Sequence, residues 1–213
     1  MLIDILTLFP NMFTGPFDES MLLAAKKKSL VTITIHDLRK WAIDKRGSVD
    51  DRPYGGGKGM LLRIDVIDAA LEEINKDNAK VILLDAGGKK FTEQKAVELS
   101  KHDHLILIAG HYEGVDHRVH EHLVDEIISI GDYVLTGGEI PAMAVTDAVV
   151  RLIPGVLEEE ATQKESHTIE GVLEHPQYTR PDDYNGWKVP EILKSGNHVE
   201  INKWKKENSK SPK

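Results

Sequence analysis

Short apolar runs of strand length, separated by stretches with helical spacing, constrain this chain more than any other feature. The runs are Leu2 to Phe9, Leu30 to Ile35, Val81 to Leu84 and Leu105 to Ile108, and the helical patterns fall at Asn11 to Lys27, Val66 to Asn75, Glu93 to Lys101 and Ile140 to Leu152. A strand with one wet face alternates apolar and polar residues, whereas a continuous Val/Ile/Leu run needs cover on both faces. Crossover helices supply that cover, so the pattern predicts an α/β fold with a mainly parallel sheet. No internal repeat competes with this reading.

At 213 residues the chain has room for one full α/β domain plus a small appendage. No apolar run approaches the roughly 18 residues of a membrane span, so no membrane partner is expected. The opening MLIDILTLFP carries Asp4 and lacks the basic start and small-residue cleavage site of a signal peptide. The absence of cysteine excludes disulfides, thiolate metal sites and cysteine nucleophiles together. These features fit a cytoplasmic protein. The net charge of −8 argues against indiscriminate phosphate binding, but lysines gather at Lys26 to Lys28 and in the tail from Lys203 to Lys213. A solvated tail explains the latter equally well.

Composition shifts after Pro154-Gly155. Residues Glu158 to Ile169 are polar and carry neither period, as a flexible linker would. Beyond it lie Pro176, Tyr178, Pro181, Tyr184, Trp187 and Pro190, then a short helical pattern from His198 to Lys206. The expected division is 1–157 for the main domain, 158–172 for the linker and 173–213 for a small C-terminal domain. So short a segment rarely builds a stable core unaided and is expected to dock on something.

Three glycine-rich stretches interrupt the pattern: Asp50 to Met60, Ala109 to Gly114 and Ile130 to Glu139. The first has three successive glycines, but Lys58 is followed by Gly59, not by Ser or Thr, so it is no P-loop. A dinucleotide fingerprint is missing too. On spacing alone a structural turn and a partner-binding loop are equally compatible with it. The second and third stretches each follow a short apolar run, Leu105 to Ile108 and Ile127 to Ile130. Ligands of open α/β sheets bind beyond the carboxyl ends of strands, so two such loops can line one cleft. They are rich in backbone and poor in cations, which suits adenosine or an amino acid better than a polyphosphate. Glu113 would place a carboxylate there, able to attract an ammonium or sulfonium group. His117 and His120 stand at i, i+3 spacing, but one short helix seldom supplies a convergent metal site, and an exposed polar face is the expected reading.

The strings VDDRPYGGGKGM, AGHYEGVDHRV, SIGDYVLTGGEIPAM, RLIPGVL, HPQYTRP and LKSGNHVEINKW occur in this order. Together they make the chain, from Ile3 to about Lys206, resemble the bacterial tRNA (guanine-N1-)-methyltransferases of the SPOUT class. The resemblance implies a deep trefoil knot, a mostly helical small domain that binds tRNA, and a homodimer. It implies S-adenosylmethionine held by Ala86, Gly110, Glu113, Ile130, Gly131, Asp132, Tyr133, Val134, Leu135, Gly137 and Gly138. Asp50, Arg52, Tyr54 and Gly59 would approach the target guanine, and a magnesium ion would assist.

The reaction such a family performs requires a base for the N1 proton of guanine and a cation or donor at O6. The resemblance puts the O6-facing arginine at Arg151, where a guanidinium suits the task. It puts Ser166 where relatives carry a linker aspartate. A serine hydroxyl is a poor base. Glu165 beside it is the expected substitute, His167 is a further titratable candidate, and a relative that binds cofactor but transfers weakly is the competing reading. Two more departures are Asp85-Ala86-Gly87-Gly88 in place of Ser-Pro-Gln-Gly, and an end at Lys213, short of the extra helices such enzymes usually carry. That end implies a minimal small domain or a longer parent protein.

Overall fold

A computed structural model describes residues 1–74, 79–158, 162, 165–169 and 172–209. The chain divides into two compact units, Met1–Leu157 and Glu158–Lys213. In the first unit β1 (Leu2–Thr7), β2 (Thr32–Asp37), β5 (Lys80–Lys90), β6 (His104–Ala109) and β7 (Glu126–Ser129) form one five-stranded sheet in the order β2-β1-β6-β5-β7. Every pairing in it is parallel. β3 (Asp50–Asp51) and β4 (Leu61–Leu62) make a separate short antiparallel pair that frames the first glycine loop.

Two cores, one on each face, explain why the strands read as continuous apolar runs. Ile3, Ile5, Leu105 and Leu107 pack against α1 (Ser20–Lys27), α3 (Glu93–Leu99) and α5 (Glu139–Val150) through Leu22, Leu99 and Val145. Leu6, Leu83, Ile106 and Ile108 face the other way, onto Val66, Ile67 and Leu71 of α2 (Ile64–Ile74) and Val119 of α4 (His117–His122). β6 lies between β1 and β5, and all six of its residues are buried. Burying a side chain of Leu or Ile size contributes about 1.5–3 kcal/mol, so this central strand anchors the unit.

One expected element is corrected. The helical pattern of Asn11 to Lys27 is not one helix: Pro10–Phe13 forms a single 3-10 turn and α1 begins only at Ser20. Gly15 sits at φ +95° directly before Pro16, and the residue before a proline is pushed out of the α region. Phe13 and Phe17 still reach the core, which is why the apolar spacing read as a helix.

On the same face as Leu6, Asp4 bridges three strands. Nε2 of His36 and Nε2 of His104 lie 2.6 and 2.7 Å from its two carboxylate oxygens. Burial pushes the Asp4 carboxyl up, but the hydrogen bonds and charges of the two histidines outweigh it and hold the group below its ordinary value.

The second unit is built differently. An Asn185-Gly186 turn, both residues at positive φ, joins β8 (Asp183–Tyr184) to β9 (Trp187–Lys188). Two helices follow, α6 (Glu191–Lys194) and α7 (His198–Asn208), the second capped by Asn197 through the backbone amides of Val199 and Glu200. The rings of His175 and Tyr178 stand 6.4 and 6.3 Å from that of Trp204. None of the described residues in this unit is buried. No helix among the described residues is long and apolar enough to cross a membrane.

Candidate functional site

The carboxyl ends of β6, β5 and β7 are neighbours in the sheet, and the chain leaves all three through glycine-rich backbone. β5 bulges between Leu84 and Lys89, β6 runs into Gly110 to Gly114, and β7 into Ile130 to Gly138. The segments enclose one cleft of about 230 Å³. It is lined by Ala86, Gly110, Glu113, Ile130, Gly131, Tyr133, Val134, Leu135, Gly137 and Gly138, all of which the resemblance had implied for the cofactor. Asp132 is not part of the lining; its carboxylate points to Lys90, 2.7 Å away.

Close backbone contacts hold the loops together. The Gly138 amide donates to the Gly110 carbonyl at 2.7 Å, and His111 bridges Gly137 in antiparallel fashion. A Cβ at Gly138 would stand 2.7 Å from Ala109 Cα and 2.8 Å from Gly110 N, backbone atoms that cannot yield, so only glycine fits. The Ser129 hydroxyl donates to the Gly131 carbonyl at 3.0 Å and fixes the start of the third loop.

The first glycine loop docks on the second without lining the cleft. Glu113 N donates to Met60 O at 3.1 Å, and Leu62 N donates to Gly114 O at 3.0 Å. Gly59, at φ +84°, lies so close to the Glu113 side chain that a Cβ there would overlap it. Asp50 is half-buried and paired with Leu62, while Arg52 is exposed and Tyr54 is fully so. The four implied guanine-facing residues thus belong to one loop that is tied through Glu113 to the cleft.

Arg151 caps the C-terminus of α5, with its guanidinium 3.9 Å from the Glu93 carboxylate; it does not line the cleft. Glu165 and Ser166 belong to the second unit. There the Ser166 hydroxyl accepts the Glu174 amide at 3.0 Å, a local turn contact. His117 is exposed, whereas His120 is tucked in, 3.5 Å from the Asp85 carboxylate. Among the described residues, no group of three or more His, Cys, Asp or Glu side chains could hold a metal ion. These side chains therefore offer no ready-made site for the magnesium ion that the resemblance implies.

The family model for tRNA (Guanine-1)-methyltransferase TrmD matches residues 1–212. This chain belongs to that family. It is 53% identical over 213 residues to a tRNA (guanine-N(1)-)-methyltransferase of Dehalococcoides mccartyi, covering 98% of this chain and 86% of that one. It is 51% identical over 212 residues to proteins of the same name from Bacillus cereus and Bacillus anthracis, covering 98% of this chain and 87% of each.

In this member of the family the cleft has contributors that motif reading passed over. Asp85, His111, Tyr112, Thr136 and Pro141 also line it. Asp85 is held in place by the Gly87 amide, which donates to it at 2.7 Å. Directly behind the lining sits Glu139, a carboxylate only 1% exposed. The string containing it was read as backbone-rich, and nothing in its spacing announced a buried acid. The available signal was an ionisable residue on the first turn of a mostly apolar helix.

Proposed function

We propose that this chain methylates N1 of the guanine next to the anticodon of tRNA, with S-adenosylmethionine as donor. The observation that carries the reading is the convergence of Gly110, Ile130, Gly131, Tyr133, Val134, Leu135, Gly137 and Gly138 on one cleft at the carboxyl ends of parallel strands. A bent adenosine with an amino-acid tail suits a cavity of this kind, since it offers many backbone groups and a carboxylate at Glu113. S-adenosylmethionine supplies a methyl group on a positively charged sulfur; the N1 lone pair takes it while the carbon–sulfur bond breaks, leaving the neutral thioether.

The protein's part is to free that lone pair and carry the resulting charge. Glu165 takes the N1 proton, and Arg151 stabilises the negative charge that spreads onto O6. Ser166 neighbours the base and keeps the turn. Asp50, Arg52, Tyr54 and Gly59 form the loop that receives the guanine. Residues 1–157 hold the donor within a trefoil-knotted fold, 158–172 connect, and 173–213 bind tRNA; two copies act together in the cytoplasm.

Tritium-methyl transfer to tRNA transcripts with guanine or adenine next to the anticodon tests the reading. Label is expected on the guanine transcript alone, and no label on either would refute it. Glu165→Gln is expected to lower transfer by about a hundredfold or more, the scale of general-base catalysis. Unchanged transfer would remove Glu165 from the mechanism.

A further inference from the structure

Glu139 is a buried carboxylate that the transfer chemistry does not use. A carboxylate taken out of water is strongly disfavoured unless it is hydrogen-bonded, so its partners define its purpose. One partner is Thr7, fully buried at the end of β1, whose hydroxyl lies 2.9 Å from Glu139 Oε1. That hydroxyl already accepts the Phe9 amide at 2.9 Å, so its single proton is directed to Glu139. The other carboxylate oxygen, Oε2, stands 3.4 Å from Nδ1 of His111. Gly137 lies beside this contact, and a Cβ there would overlap both the Glu139 carboxylate and the His111 ring. The Phe9 ring lies 4.6 Å from the His111 ring, and the Tyr112 ring meets it edge-on at 5.3 Å. Of these groups His111, Tyr112 and Gly137 line the cleft.

We propose that Glu139 is a positioning residue for the methyl-donor cleft. Fixed by Thr7 from within the sheet, it accepts a hydrogen bond from His111 Nδ1–H and so sets the tautomer and facing of that imidazole. The ring is left to present Nε2 to the cavity as an acceptor for an O–H or N–H group of the bound ligand. The hydrogen bond made by one ring nitrogen decides which nitrogen is protonated, and a carboxylate behind a histidine is an effective way to decide it. The inference rests on the donor-binding reading of the cleft.

Calorimetric titration of the full-length protein with S-adenosylmethionine and with S-adenosylhomocysteine separates the two. If the wild type binds neither, the donor reading itself fails and this proposal falls with it. If the wild type binds, Glu139→Gln should weaken both ligands by about tenfold, the scale of one hydrogen bond to a charged group. A glutamine amide would donate to Nδ1 and invert the imidazole. In methyl transfer the same variant should raise KM for the donor while kcat stays within about twofold, the pattern of lost ground-state positioning. His111→Asn should lose affinity similarly, and the double variant should bind no worse than the weaker single one, because the two act as a unit. The Thr7 pair gives an independent test if Glu139 variants fold poorly: Thr7→Ser keeps the hydroxyl and should bind as wild type, whereas Thr7→Val, equal in size, should not. Equal affinity of Glu139→Gln and wild type, losses that multiply in the double variant, or equal losses in the two Thr7 variants would each overturn the proposal.

Discussion

The two units of this protein solve the problem of staying folded in opposite ways. In Met1–Leu157 the central strand β6 is buried along its whole length, and Ile5, Leu105, Ile106 and Leu107 are all at 0% exposure between two helical layers. In Glu158–Lys213 no described residue is buried, and Tyr184, Trp187 and Val199 stay 59%, 74% and 75% exposed. The second unit is held by local devices: an Asn-Gly hairpin, the Asn197 cap and rings gathered around Trp204. The contrast teaches that rigidity is concentrated where the cleft is. A cleft made of backbone groups keeps its shape only if the strands that aim them do not move, whereas a segment of some fifty residues buries a smaller share of its surface and is correspondingly marginal.

Several experiments would break or sharpen that contrast. The largest difference is expected in hydrogen exchange, where the amides of β1 and β6 should be protected by the global stability and those of α7 should open locally, several orders of magnitude faster. Comparable protection in both units would end the comparison. Next in size, Leu107→Ala should destabilise the first unit by about 2–5 kcal/mol in urea titration, while Val199→Ala should stay within about 0.5 kcal/mol. Gly138→Ala forces a methyl against fixed backbone, and a loss of about 1–3 kcal/mol with weakened donor binding is expected, read by calorimetry and thermal melting.

Asp4→Asn should lower stability by about 1–3 kcal/mol at neutral pH, the scale of hydrogen bonds to a buried charged group. The sign with pH follows from the direction of its shift. The folded carboxyl lies below its ordinary 3.8, so the ionised group contributes fully above that value and loses its contribution as acid titrates the folded form. The gap between wild type and variant should therefore close in acid, and a gap that widens there would contradict the assigned hydrogen bonds. The smallest effect belongs to Asp116, whose carboxyl the Arg118 guanidinium and amide hold down at about 2. The pair is largely solvent-screened, so Asp116→Asn, which keeps the helix cap at α4, should cost no more than a few tenths of a kcal/mol in a denaturant titration.

Much of the first unit was legible in the chain. Continuous runs such as Leu105 to Ile108 can be satisfied only with both faces covered, and the parallel sheet follows. Loops after strands are the place for a ligand, and the glycine strings after β6 and β7 meet there as anticipated. What escaped was in part local, where one signal masked another, and in part dependent on residues distant in sequence. The break before α1 was hidden because Phe13 and Phe17 keep helical spacing while the Gly15-Pro16 step prevents the helix. The Asn185-Gly186 hairpin went unread because its flanking strands are only two residues long and show no alternation.

The sequence by itself determined the layered α/β architecture, the family, and the loops that carry the cleft, because each is written in local pattern or in strings of adjacent residues. Only the tertiary structure decided that β6 and β7, consecutive strands in the chain, are not paired in the sheet but have β5 between them. It alone brought Thr7 to Glu139 across 132 residues and left Asp132 turned away toward Lys90. The physical reason is that hydrophobic periodicity specifies which face of an element is buried, whereas the partner of a buried polar group is set by how elements far apart in the chain come to pack.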